Sequence, residues 1–147
     1  MKKVLAVVLA ALLTISMVAC AKAPAAPFEV GKDTATYKVE GASDWAGTVT
    51  ANVKIVAGDD VLFNGTVTVT SDSLYACEFV YAAALEKGLS QAGIQEGFIT
   101  NIGNYSNEDP NYWMWYYQGN NPTNFAINDV HVFAGDYILV SYETVQW

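Results

Sequence analysis

Two neighbouring segments alternate between apolar and polar residues, and this alternation restricts the folds open to the chain more than any other feature. In residues 48–55 every second residue is apolar, and in residues 61–70 Val61, Phe63, Val67 and Val69 share one parity, with Gly65 between them. A period of two is typical of strands with one buried face. The intervening residues 57–60 are Ala-Gly-Asp-Asp, a turn-forming sequence. The pattern therefore predicts a β-hairpin.

The residues after the hairpin change to a helical period. Residues 71–73, Ser-Asp-Ser, suit a helix N-terminus, and Gly88 suits the position just after a helix. Between them the predicted helix is apolar on nearly every side, with Glu78 one of few charged residues. Such a helix is either sandwiched within the protein or offers its second face to a partner, and we favour the sandwiched arrangement.

The remaining chain is divided into short segments by turns. Strands are predicted at residues 98–102, 112–117, 130–133 and 137–142. The last two are expected to pair across residues 134–136, Ala-Gly-Asp. Before the hairpin, residues 28–47 are predicted to be a loose lead-in segment with one strand at residues 36–40. The order of elements predicts an α+β domain with one helix packed on a mostly antiparallel, β-grasp-like sheet.

The N-terminus has the features of an export signal. Two lysines precede the apolar run at residues 4–18, and residues 17–20, Met-Val-Ala-Cys, resemble the bacterial lipobox. The run is too short, and too closely followed by polar sequence, to be expected to span a membrane. We therefore predict a lipoprotein signal peptide at residues 1–19 and lipidation of Cys20. The alternative is an ordinary signal peptide cleaved near Ala19 or Ala21.

A lipidated Cys20 would fix the mature protein to a membrane through its acyl chains. Residues 21–27 consist mostly of alanine and proline, so residues 20–27 are predicted to form a tether. The predicted location is therefore the cell envelope, on the extracytoplasmic side of a membrane.

The charge of the predicted mature chain excludes one class of partner. After residue 19 there are five lysines, no arginine and fifteen carboxylates, a net charge of −10. Nucleic-acid binding requires clustered positive charge, so we exclude it. An anionic phosphate ligand is also disfavoured without arginine forks.

Few residues suit catalysis or metal binding. The single histidine, His131, has no second ligand or base at a recognisable spacing. Cys77 lies on the apolar stripe of the predicted helix, where a buried structural thiol is expected more than a nucleophile. The carboxylate pairs at residues 59–60 and 108–109 lie in loops without the spacing of an EF-hand. The sequence thus predicts no enzyme, no metal site and no required cofactor.

Residues 112–117, Tyr-Trp-Met-Trp-Tyr-Tyr, are the most informative segment for function. Alternation places Trp113, Trp115 and Tyr117 on one face of the predicted strand. Since one helix can cover only one face of a sheet, these rings are predicted to form an open platform. Amides at its rim would suit a neutral, flat ligand, and the candidates are Asn111, Asn120 and Asn121. The alternative is that residues 28–47 fold over these rings and bury them.

The order of these segments also resembles a known family. The hairpin and helix are followed by Phe-Ile-Thr-Asn-Ile at 98–102, Tyr-Trp-Met-Trp at 112–115 and Gly-Asp-Tyr-Ile at 135–138. This order resembles the transcobalamin-type C-terminal domain, which closes the cobalamin carriers transcobalamin and intrinsic factor and recurs in bacterial surface lipoproteins as a domain of unknown function. The resemblance implies such a domain at residues 48–147, with cobalamin or another corrinoid as ligand. The resemblance does not extend to the larger helical domain of the carriers.

Three hypotheses follow from the sequence. The first is a non-catalytic small-molecule binding module on the cell envelope, for which the resemblance implies a corrinoid. The second is a surface interaction module that binds a protein or a cell-wall carbohydrate. The third, an enzyme, ranks last.

Overall fold

Five strands form one twisted sheet, and a single described helix packs against it. The computed structural model describes residues 25–147, so the predicted signal peptide and Cys20 lie outside the described residues. The elements in chain order are β1 Asp33–Lys38, β2 Gly47–Ala57, β3 Asp60–Ser71, α1 Ala76–Glu86, β4 Gln91–Ala92, β5 Asn101–Ile102, β6 Tyr105–Ser106, β7 Asn111–Tyr117 and β8 Tyr137–Thr144.

The main sheet has the strand order β1-β3-β2-β8-β7, and a small second sheet has the order β4-β5-β6. In the main sheet β2 pairs antiparallel with β3, and β7 with β8, whereas β1–β3 and β2–β8 are parallel. Both pairings of the small sheet are antiparallel. The predicted α+β class, with one helix on a sheet, is confirmed. The main sheet is evenly mixed because β8 lies parallel to β2 and β1 lies parallel to β3.

The predicted hairpin and helix are both present. The β2–β3 hairpin turns at Gly58 and Asp59, as the alternation indicated. The helix begins at Ala76, a few residues later than the predicted cap at 71–73. The reason is a turn at Leu74, whose φ of 52° is left-handed. The Ser71 and Ser73 hydroxyls instead donate to the carboxylate of Glu78, at 2.7 and 2.9 Å.

Two predicted strands are wrong or reduced. Residues 130–133 form no strand and do not pair with β8. They run instead along the start of α1, where Ala76 N–H donates to the Val130 carbonyl and Val132 N–H to the Leu74 carbonyl. The strand predicted at 98–102 shrinks to the two residues of β5. Both errors arise because a short apolar run has the same appearance in a strand as in a buried loop.

The lead-in segment contributes an edge strand to the sheet. Its strand, β1, lies beside β3 and starts three residues before the predicted one. Gly65 of β3 permits this pairing, because a Cβ atom there would lie 1.7 Å from the Asp33 carbonyl oxygen. A glycine inside an alternating strand thus marks a close approach of backbone.

The core lies between the sheet and α1, and α1 is also covered from outside. Val53, Val67 and Phe79 are fully buried between helix and sheet. The loop residues Ile94, Ile99, Ile127 and Val132, together with Ile102 of β5, belong to the same buried cluster. The sandwiched position predicted for the apolar helix is therefore what the structure shows.

Candidate functional site

The aromatic strand β7 forms one edge of the main sheet. Trp113, Trp115 and Tyr117 lie opposite Tyr142, Val140 and Ile138 of β8. Because Val140 and Ile138 are fully buried in the core, the three β7 rings lie on the helix side of the sheet. The predicted open platform is therefore wrong in its placement. The opposite face carries Tyr112, Met114 and Tyr116.

Trp113 is a core residue. Its exposed fraction is 5%, and its indole Nε1–H donates to the Tyr105 carbonyl at 2.9 Å. The rings of Tyr105 and Tyr142 pack against it, with centroids 6.4 and 5.2 Å away. A side chain held in this way supports the sheet and presents almost no surface to a ligand.

The lead-in segment does not cover these rings. Trp45 is 94% exposed, and Tyr37 packs edge-on against Tyr81 of α1, near the opposite edge of the sheet. Phe28 instead contacts Tyr137, with ring centroids 5.2 Å apart. On the helix side, β7 is instead flanked by the segments that follow α1 and β7. The periodicity of the predicted helix gives no information about where these segments lie.

These two loops leave an open cleft along the edge of β7. Its volume is about 470 Å³, and it lies between residues 97–99 and residues 121–127, with Trp115 and Met114 of β7 among its lining. Phe98 and Phe125 also line it and are 66% and 61% exposed. None of the thirteen lining residues carries a formal charge. The cleft is thus apolar and neutral in a chain that is strongly acidic.

A second open cleft, of about 500 Å³, adjoins the first. Tyr117, Asn120 and Asp129 line it, and it shares Pro122 and Phe125 with the first cleft. The loop that carries Pro122 and Phe125 therefore separates the two clefts.

The structure divides the predicted site residues among different places. Trp113, Trp115 and Asn121 line the first cleft, and Tyr117 and Asn120 line the second. Asn111 lies at the other end of β7, where its Oδ1 accepts a hydrogen bond from the Thr144 hydroxyl at 2.8 Å. Asn111 is therefore not part of either cleft. Whether the other residues bind a ligand stays a prediction.

The cleft also contains two aromatic side chains that the sequence does not mark as site residues. Phe98 lies in a predicted strand, and Phe125 follows a Pro-Thr-Asn loop without any period. Asn124 lines the cleft beside Phe125 and has no distinguishing sequence pattern either. Their only sequence signal is a large ring within or next to turn residues, which is not specific to binding sites.

The Tyr117 hydroxyl is fixed by a carboxylate. It donates to Asp136, which also accepts the Phe133 N–H at 2.8 Å. Burial, together with this hydrogen bond to Asp136, raises the pKa of Tyr117. The phenol stays neutral and joins the end of β7 to the turn before β8.

The surroundings of Cys77 and His131 indicate structural roles for both side chains. Burial raises the pKa of the Cys77 thiol to about 12, so the thiolate that nucleophilic chemistry requires is suppressed. His131 Nδ1 lies 2.8 Å from the Ser73 carbonyl oxygen at the start of α1. Within residues 25–147, no three His, Cys, Asp or Glu side chains cluster as metal ligands. In the same range, no helix is long and apolar enough to cross a membrane.

Comparison with solved structures places the fold. The structure of haptocorrin in complex with Cbi matches 68% of this chain and 26% of that chain, with a TM-score of 0.53 and 16% identity. The described domain has the fold of the transcobalamin-family C-terminal domain. A candidate metal-binding protein from Ruminococcus gnavus ATCC 29149 matches with a TM-score of 0.48 and 18% identity, over 67% of this chain and 99% of that one.

The resemblance seen in the sequence is thus confirmed at the level of fold. The chain spans about a quarter of the haptocorrin chain that it matches. No protein-family model matches the sequence, and no curated protein matches it. The transcobalamin-like fold is therefore evident from the structure and not from sequence identity.

Proposed function

We propose that this chain is a lipid-anchored, non-catalytic binding module of the cell envelope, which captures a neutral, largely planar small molecule in the cleft beside β7. A corrinoid is the favoured ligand. The observation that carries the proposal is the uncharged aromatic cleft, on a fold shared with part of haptocorrin, which was solved with bound Cbi.

The cleft has the chemistry that such a ligand requires. Trp115, Phe98 and Phe125 supply apolar ring surface, and removing that surface from water favours binding. Asn121 and Asn124 supply amides that can orient a polar edge of the ligand. A charged ligand would gain no counter-charge from the lining and would lose its hydration.

The size of the cleft limits the affinity expected for a corrinoid. A volume of about 470 Å³ suits a small ligand or one part of a macrocycle. Because the cleft is open, part of a bound corrinoid would stay in solvent. We therefore expect modest affinity unless a second protein covers the exposed side.

The binding test uses two tryptophans in contrasting positions. In a Cys20→Ser background, cobinamide and cobalamin are titrated by equilibrium dialysis and read by their visible absorbance. Trp115→Ala should weaken binding at least tenfold by removing ring surface from the cleft. Trp45→Ala is the matched control, because Trp45 is 94% exposed and contacts no part of the cleft.

Three outcomes are informative. Saturable binding that depends on Trp115 and not on Trp45 supports the proposal. Equal losses in both variants, with both folded by circular dichroism, place the ligand elsewhere. Absence of saturable corrinoid binding rejects the corrinoid.

A second candidate function is capture of a cell-wall carbohydrate. The exposed rings of Phe98 and Phe125, next to Asn121 and Asn124, also suit stacking on sugar rings. Soluble wall glycan fragments form the other arm of the titration, with the same pair of variants. Glycan binding lost in Trp115→Ala, without corrinoid binding, favours this candidate.

The anchor has its own test. Cys20→Ser should prevent lipidation and move the protein from the detergent phase to the aqueous phase in phase partitioning. A Cys77→Ser variant is the control and should stay in the detergent phase. Detergent partitioning of the Cys20→Ser variant would reject the lipoprotein assignment.

A further inference from the structure

The backbone of β7 uses its two edges differently. Even-numbered residues from Tyr112 to Tyr116 face β8 with their N–H and C=O groups, as the pairing register and the alternation of a strand require. Odd-numbered residues therefore direct these groups to the outer edge. Three hydrogen bonds confirm this direction, because the N–H groups of Asn111, Trp113 and Tyr117 donate to Glu108, Asn107 and Asn120.

One short stretch of this outer edge has no partner. Among residues 25–147, no hydrogen bond joins the Trp113 carbonyl or either backbone group of Trp115 to another residue. Both ends of the edge are closed, by the Glu108–Asn111 bridge and by the Tyr117–Asn120 bridge. The unpaired groups therefore lie in a gap in the middle of β7, and Trp113 and Trp115 both line the apolar cleft.

We infer that this gap recognises a carboxamide of the bound ligand. The inference rests on the proposed function of the cleft and names the chemical group that the cleft selects. In order along the chain, the gap offers an acceptor, a donor and an acceptor: Trp113 C=O, Trp115 N–H and Trp115 C=O. A carboxamide carries an adjacent donor and acceptor, so its oxygen accepts from Trp115 N–H while its nitrogen donates to a carbonyl.

The physical reason for this selectivity is the cost of unpaired polar groups. A ligand that fills the cleft removes water from the Trp115 edge, and backbone groups left without a partner cost free energy. A ligand with only ester groups accepts from the N–H but leaves the carbonyls unpaired. The gap is too short to pair with a long strand, which limits its recognition to one amide or one extended residue.

The first test compares two corrinoids with the same macrocycle. Dicyanocobinamide carries carboxamide side chains, and heptamethyl dicyanocobyrinate carries methyl esters in their place. Both are titrated against the Cys20→Ser protein in one buffer with the same fraction of methanol. We expect the ester to bind about tenfold more weakly, because one or two hydrogen bonds to the backbone are lost. Equal affinities would overturn the carboxamide inference and leave the proposed function intact.

If neither corrinoid binds, the proposed function fails and this inference fails with it. If the ester binds more tightly than the cobinamide, the cleft selects apolar surface, and the inference is again overturned.

The second test observes the backbone group directly. Amide hydrogen exchange of the 15N-labelled Cys20→Ser protein should show fast exchange at Trp115 N–H and slow exchange at Met114 and Tyr116, whose N–H groups face β8. Saturating dicyanocobinamide should slow exchange at Trp115 at least tenfold. Protection of Trp115 in the free protein, or no change on binding, would contradict the assignment.

Discussion

The two halves of the main sheet bury the same face by different means. Beneath α1, small and β-branched residues such as Val53 and Val67 are fully buried, and the helix fits them closely. At the β7 end the cover consists of loops and the short strand β6, and the large rings of Trp115 and Tyr117 stay half-buried beside open clefts. A regular element closes a core, whereas irregular segments leave concave surface where ligands can bind.

The largest expected effect is in the helix-covered half. Phe79→Ala should lower the free energy of unfolding by about 3–5 kcal/mol, because it leaves a cavity between α1 and the sheet. Urea unfolding followed by far-ultraviolet circular dichroism measures the change. Leu85→Ala, on the same helix but 54% exposed, should change it by less than about 0.5 kcal/mol. Similar losses of unfolding free energy in both variants would show that the Leu85 side of α1 is buried as well as the Phe79 side.

The next prediction compares two tryptophans within the β7 half of the sheet. Trp113→Ala should cost about 3–4 kcal/mol of unfolding free energy, since it removes a buried ring and the hydrogen bond to Tyr105. Trp115→Ala should cost about 1–2 kcal/mol, because its ring is only partly buried beside the cleft. The same urea experiment compares them. A larger loss for Trp115 than for Trp113 would reverse their assignment as cleft and core residues.

The next effect concerns pH, and between pH 8 and 10.5 it is smaller than the loss expected for Trp113→Ala. Burial raises the pKa of Cys77 to about 12, whereas an unfolded thiol ionises near 9. The unfolded state therefore loses its proton first, and stability that is complete below pH 9 declines by about 1.4 kcal/mol per pH unit between those values. Cys77→Ala removes this contribution, and in a Cys20→Ser background the difference between variant and parent isolates it. Parallel stability curves between pH 8 and 10.5 would contradict a buried thiol.

Labelling gives a second measure of the same residue. In the Cys20→Ser background Cys77 is the single thiol, so its reaction with a thiol reagent should be slow in buffer and fast in denaturant. Fast labelling of the folded protein would place the thiol outside the core.

The smallest effect is expected on the face without a helix. The Thr50 and Thr68 hydroxyls share a hydrogen bond of 2.7 Å on that face. Thr50→Val keeps the β-branched shape and removes this bond, so the unfolding free energy should fall by no more than about 0.5 kcal/mol. A loss above 1 kcal/mol would show that this face is covered in the folded protein.

The sequence by itself determined the elements whose residues repeat with a clear period. The alternation of β2 and β3 indicated a hairpin, and the helix that is apolar on nearly every side favoured a sandwiched α1. Both predictions depend on local geometry, since side-chain direction follows from a period of 2 or 3.6 residues. The transcobalamin-like arrangement was expected only from a resemblance in the order of the segments, and the structural match confirms that fold.

Only the tertiary structure decided which face of β7 is covered and where the cleft lies. The alternation of Trp113 and Trp115 gives the same pattern whether their rings lie inside or outside the domain. The insertion of β8 between β2 and β7 put both rings on the helix side. The loops at 97–99 and 121–127 then placed Phe98 and Phe125 beside Trp115. Loops have no period to interpret, and their positions depend on contacts between residues distant in the chain.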